Sequence, residues 1–266
     1  MLVYDSHCHL QAINSEAGNA AQHGIALIPA CNLDEIPQLI ELRSQYPSKY
    51  KIGFGIHPWY IDSSIKNSID NNKNGIENNG VENQQIDYLI AAIDKFKPDF
   101  IGEIGLDYLK PHPELQRKLF TRQLILAQEL NLPIVLHSVK AYNDVLAIIK
   151  HSFRKSAKLG NIRGILHGFN ANAAVAKQFT DLDLFLGIGS MVAKPTSKVL
   201  SNLKQLGIDH LVFESDAPFM PAFGQTKSQS SDTFLYAQLV AQQLDINLID
   251  LINISNHNVL SLFRNY

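Results

Sequence analysis

The chain has 266 residues, 45% of them apolar and 18% charged, with a formal net charge of −2. The apolar share supports a sizeable core, and the low charged share argues against disorder. The near-neutral balance excludes nucleic-acid binding through overall basicity, so any site for a polyanion has to be local.

Apolar strand-like runs alternate with helical patterns from end to end, the signature of a parallel sheet. Strands are expected near 2–6, 25–30, 51–56, 99–103, 133–137, 163–167, 183–187 and 210–214. Helices are expected near 15–23, 33–45, 86–96, 113–130, 140–150, 171–179, 196–206 and 231–244, with a last one over about 248–263. Helix 113–130 is the best marked: Pro113 stands near its start, Leu115, Leu119, Leu126 and Leu130 recur at helical spacing, and Pro133 follows. Asp62 to Gln85 differs, with seven asparagines, Gly75, Gly80 and no apolar periodicity. It reads as a polar low-complexity loop after the third strand, a tolerated surface insertion before a partial lid. Eight strand–helix units in a chain close to the roughly 250 residues typical of the fold predict an α/β architecture, a single (β/α)8 TIM barrel over 1–266.

The first strand ends in Asp5-Ser6-His7-Cys8-His9-Leu10. Residues i and i+2 of a strand share a face, so His7 and His9 project together. Two buried imidazoles side by side are costly as packing, because their ring nitrogens need partners; a divalent metal satisfies both. A lone core histidine is more often structural, but here other strand ends carry ligand-type residues too. Phe100-Ile101-Gly102 leads into Glu103, Leu132 to Leu136 into His137, Ile162 to Leu166 into His167, and His210 to Phe213 into Glu214-Ser215-Asp216. In a (β/α)8 barrel such ends converge at the C-terminal face of the strands, where the metal site is expected.

These motifs resemble the TatD-type metal-dependent hydrolases of the amidohydrolase-like barrels, whose described members are deoxyribonucleases. The matching segments are Asp5 to Leu10, Gly55-Ile56-His57-Pro58, Gly102 to Tyr108, Pro133 to Ser138, His167-Gly168-Phe169, Glu214 to Pro218 and a terminal Asn258 to Phe263, in the family's order. The resemblance implies two divalent ions (Mg, Mn or Zn). His7, His9 and Asp216 would hold one, His137 and His167 the other, and Glu103 would bridge them. Asp216 would also act as general base toward water, which with Glu103 completes the expected catalytic pair. DNA, single-stranded or at 3′ ends, is the implied substrate. The chain departs from the pattern where Val139 stands in place of a frequent arginine, with Lys140 next; lysine does not replace a planar phosphate clamp. An Asn-x-Pro feature usual after Asp216-Ala217-Pro218 is also missing.

His57 is expected either to contact substrate or support the metal ligands from behind, or to make a structural hydrogen bond at a turn. Trp59 offers a ring for a base or, more economically, a cap on the rim. Lys140, Lys194 and Lys198 fall just past strand ends; solvation is the bland reading and phosphate contact the sharp one. Asp107 and Tyr108 are expected to orient Glu103. His23, His112, His151, His210 and His257 are expected to be surface or structural, and Cys8 a small apolar group packed outward. Cys8 and Cys31 lack a Cys-x-x-Cys spacing, so a reduced pair is the default, with a disulfide between strand ends left open. No secretory signal and no membrane span are legible, and a cytoplasmic monomer is expected. Two rival readings remain. One is an amidohydrolase acting on a small amide or lactone, many of which bridge their metals with a carboxylated lysine where this chain has Glu103. The other is a non-catalytic barrel that keeps metal for stability; it predicts loss of the acid that Asp216 retains.

Overall fold

Seven short apolar runs form one parallel sheet in sequential order, β1 to β7. The strands are β1 (Ala26–Pro29), β2 (Tyr50–Phe54), β3 (Phe100–Asp107), β4 (Ile134–Val139), β5 (Gly164–Leu166), β6 (Leu184–Ile188) and β7 (Leu211–Phe213). The computed structural model describes residues 2–13, 24–61, 81–154, 162–194, 197–222 and 224–263. Parallel neighbours require a crossover after each strand. The crossovers carry α1 (Ile36–Gln45), α2 (Val81–Phe96), α3 (Pro113–Glu129), α4 (Tyr142–Arg154), α5 (Ala173–Thr180) and α6 (Val199–Leu206). After β7 follow α7 (Asp232–Leu244) and α8 (Leu248–Ser261). Among the described residues no helix is long and apolar enough to cross a membrane.

Strand parity sorts the core into two parts. Ile28, Ile134, Leu136, Leu166, Leu211 and Phe213 join the large cluster beneath the helices. Leu27, Phe100, Val135, Ile165 and Val212 form a separate cluster with Val259 and Leu262. These five come from five different strands and share the concave face of the curled sheet, which the end of α8 plugs. Parity then dictates the next step: two residues beyond Val135 and Ile165, on the same face, stand His137 and His167.

The structure corrects the expected first strand. Residues 2–6 are not a strand; Asp5 makes only an isolated parallel bridge to Ala26. The segment still bonds to both edges of the sheet. On the β1 side, Asp5 N–H donates to Ile25 O (2.9 Å), Leu27 N–H to Asp5 O (2.9 Å) and Cys8 N–H to Leu27 O (3.1 Å). On the β7 side, Ser6 N–H donates to Phe213 O and Asp216 N–H to His7 O, both at 2.9 Å. The ladder fails because a side chain intrudes: Ser215 N–H donates to the Asp5 carboxylate (2.9 Å) rather than to a backbone carbonyl.

α2 begins at Val81, inside the stretch expected to be loop. Its first turn is tied by Arg122 donating to Asn83, a polar anchor that apolar periodicity does not register. The rest of that stretch, 62–80, and the expected helix 15–23 lie outside the described residues. The other helices start and stop within a few residues of expectation. Both cysteines are free and buried.

Candidate metal centre

His7, His9, Glu103, His137, His167 and Asp216 meet at one place, and His57 joins them. Glu103 is the hub. Its Oε2 lies 3.5 Å from His7 Nε2 and 3.6 Å from His9 Nε2. Its Oε1 lies 2.9 Å from His137 Nδ1, 3.1 Å from His167 Nε2 and 3.3 Å from His57 Nε2. Asp216 closes the first side, with Oδ1 3.6 Å from His7 Nε2 and 3.5 Å from His9 Nε2. The Asp216 backbone turns with φ of 51°, a left-handed conformation that Asp tolerates better than most residues.

Ring nitrogens face each other here. His7 Nε2 and His9 Nε2 are 3.1 Å apart and buried, and His137 Nδ1 and His167 Nε2 are 3.2 Å apart and part-buried. Two imidazole lone pairs at that separation repel unless a proton or a cation lies between them. The donor set is four imidazoles and two carboxylates, the N/O mixture that zinc or manganese takes. Groups of three ligand atoms able to hold an ion occur at His7–His9–Glu103, His7–His167–Asp216 and His57–Glu103–His137. These residues fit divalent ions.

The third group fits less well, for a reason of tautomer. Trp59 N–H donates to His57 Nδ1 (3.2 Å), so the proton of the neutral ring sits on Nε2, facing Glu103. Burial lowers the His57 pKa to about 4, so the ring is neutral at ordinary pH. His57 is better suited to donate to Glu103 than to bind a cation. The turn hydrogen bond, one alternative for His57, is present, and the same ring faces Glu103 at 3.3 Å.

Outer groups stand behind three of the other rings, while His7 Nδ1 has no hydrogen-bond partner among the described residues. His137 Nε2 faces Asp107 Oδ2 at 3.7 Å, and Trp59 Nε1–H donates to that same oxygen at 2.6 Å. His167 Nδ1 faces Glu214 Oε1 at 3.6 Å, and Glu214 is pinned by Gly168 N–H donating at 2.6 Å. His9 Nδ1 faces Cys31 Sγ at 3.6 Å. Gln11 is nearby, but its amide hydrogens go to Pro29 O and Glu35 Oε2, both at 2.9 Å. A partner on the outer nitrogen sets the tautomer that leaves the inner one free for a cation.

Charge follows the same plan. Burial would raise the Glu103 pKa, yet the His57, His167 and His7 imidazoles hold it well below the usual carboxylate range. Asp216 is likewise depressed against burial, chiefly by His7 and His9. His167 is pushed well up despite burial, by Glu103 and then Glu214.

Two expectations need correcting. Asp107 serves His137 rather than Glu103, because the β3 backbone carries it to the next strand's histidine. Tyr108 turns away altogether, its hydroxyl bonding to Asp144 and accepting from Arg117. Lys140 and Lys198 are exposed and Lys194 half-buried, and among the described residues no ion pair links any of them to the cluster. Residues not singled out beforehand are Asp5, which accepts from the Ser215 and Ser230 hydroxyls, and Glu214 as the partner of His167. Parity was the available signal: Asp5 is two residues before His7, and Glu214 two after Val212.

A family model described as TatD related DNase matches residues 4–264. An uncharacterized metal-dependent hydrolase of Haemophilus influenzae is 28% identical over 241 residues, covering 84% of each chain. The human protein Deoxyribonuclease TATDN3 is 23% identical over 278 residues, 97% of this chain and 93% of its own. The crystal structure of YjjV, a TatD homologue from Escherichia coli, has the same fold, with a TM-score of 0.82 at 22% identity over 99% of this chain and 98% of that one. The chain therefore belongs to the TatD-related DNase family, and is a metal-dependent hydrolase of that family acting on ester bonds.

Proposed function

We propose that the chain is a phosphodiesterase that trims DNA ends, favouring single strands, with a pair of divalent ions at one rim of a (β/α)8 barrel. The observation that carries this is the division of labour at Glu103: each carboxylate oxygen turns to its own set of imidazoles. That suits a bridge between two ions better than a single ion. The segment around Asp5 to His7, bonded to both β1 and β7, takes the place of an eighth strand and completes one domain over the chain. The human relative, a protein named as a deoxyribonuclease, supports DNA as substrate.

In this reading His7, His9 and Asp216 would hold one ion, His137 and His167 the other, and Glu103 would be shared between them. Ions bound there supply a Lewis acid for a phosphoryl oxygen and make water more acidic. Asp216 is ionised at neutral pH and takes the proton of the attacking water on a carboxylate oxygen. It then returns that proton to the leaving oxygen. Glu103, steadied by the His57 Nε2–H, keeps both imidazole sets in register. Lys140, exposed just past β4, meets a neighbouring phosphate. The enzyme works as a monomer in the cytoplasm. Activity on a panel of labelled oligonucleotides, small phosphodiesters, amides and lactones, with metal content measured alongside, tests the assignment. Cleavage of oligonucleotides is expected. Turnover of an amide or lactone with no oligonucleotide cleaved would hand the site to the amidohydrolase reading.

A further inference from the structure

Among the exposed aromatic side chains, two stand at the two ends of the metal centre. Trp59, in the turn after β2, is 52% exposed, with its ring 5.4 Å from His57 and 6.3 Å from His137. Phe219, in the loop after β7, is 58% exposed, with its ring 5.3 Å from His9. The residues they touch face opposite oxygens of Glu103: His57 and His137 face Oε1, His9 faces Oε2. The rings therefore flank the place where a scissile phosphate would sit.

A cap on the rim would bury these rings, and more than half of each is open. Both are also held in place. The Trp59 indole N–H donates to Asp107 at 2.6 Å, and Lys110 Nζ lies over one ring face at 4.3 Å from its centroid. Phe219 is set by a turn in which its N–H donates to Asp216 O at 2.7 Å. A ring fixed beforehand loses little freedom when a flat ligand lands on it. The Lys110 ammonium brings a positive charge to the same flank, in a molecule whose net charge gives no general attraction for a polyanion.

We propose that Trp59 and Phe219 form a clamp for unpaired nucleobases, one on each side of the scissile phosphate, and so make the enzyme prefer single strands. This rests on the phosphodiesterase reading above. A paired base presents only its edges in the grooves, whereas an unpaired one offers its face, and every base has one. The clamp is thus selective for strandedness and indifferent to sequence.

Trp59 is the chain's only tryptophan, so it reports on its own stacking. The test titrates a short oligothymidylate, and an abasic oligonucleotide of equal length, into the metal-loaded protein while following tryptophan fluorescence and cleavage. The oligothymidylate is expected to quench the fluorescence and the abasic strand to leave it unchanged. Phe219→Ala is expected to raise KM for the oligothymidylate about tenfold, the effect of losing one stacked base, with kcat within about twofold. Phe219→Tyr should restore KM. Cleavage of the oligothymidylate without quenching, and with the same KM in Phe219→Ala, would overturn the clamp and leave the nuclease reading standing. Quenching by the oligothymidylate alone, with no cleavage of any strand, would overturn the nuclease reading and with it the clamp about a scissile phosphate, leaving only a base-stacking surface at Trp59.

Discussion

At the scale of the residue, Asp216 and His57 have separable jobs. Asp216→Asn keeps the size and a carbonyl oxygen but removes the proton acceptor. Its activity on an oligonucleotide should fall by at least about 10²–10⁴-fold, the usual worth of general-base action, with the circular-dichroism spectrum unchanged. Wild-type turnover at equal metal occupancy would rule out the role. His57→Ala removes the Nε2–H facing Glu103. Activity should fall about 10-fold or more, as for other partners of metal ligands, with the number of bound ions unchanged. Loss of an ion in that variant would make His57 a ligand and refute the tautomer argument. The six residues that meet in the cluster were legible because each follows an apolar run, and strand parity fixes the direction of His137 and His167. Their outer partners were not. The pairing of Trp59 with Asp107 joins residues 48 apart in the chain, and no local pattern announces it.

At the scale of the element, the sheet delivers the histidines and its glycines make room for what holds them. A Cβ at Gly187 of β6 would overlap the Glu214 carboxylate. Gly187→Ala therefore displaces Glu214 and frees Gly168 N–H from its acceptor. Overpacking and a lost buried hydrogen bond are each worth about 1–3 kcal/mol. A lower melting temperature and weaker metal retention by the His167 side should appear together in a thermal melt and a dialysis series. An unshifted melt would show that Glu214 has space to spare. Seven strands followed from apolar runs bounded by turns. The eighth run, 2–6, has the same pattern but not the same structure. The Asp5 side chain takes the Ser215 N–H that a ladder would assign to backbone, and apolar patterning carries no trace of that exchange. The start of α2 was hidden for a similar reason, since a polar first turn anchored through Asn83 reads as loop.

At the scale of the whole molecule, near-neutral charge and a local site make a joint statement about substrate binding. With valine at 139 and only an exposed lysine, Lys140, just past β4, few phosphate contacts are expected. On single strands each contact adds about 0.7 to the slope of log affinity against log salt. Two or three contacts beyond the scissile phosphate predict a slope near 2; a slope implying about eight contacts would contradict a local site. The central claim is that the cluster around Glu103 holds divalent ions and that hydrolysis depends on them. The direct measurement is cleavage of a labelled single-stranded oligonucleotide by chelator-stripped protein, titrated with manganese, magnesium or zinc while bound metal is counted. The account predicts no cleavage without metal and recovery that saturates as about two ions bind per chain. Undiminished cleavage by the stripped protein, or none with any of the three ions bound, would contradict it.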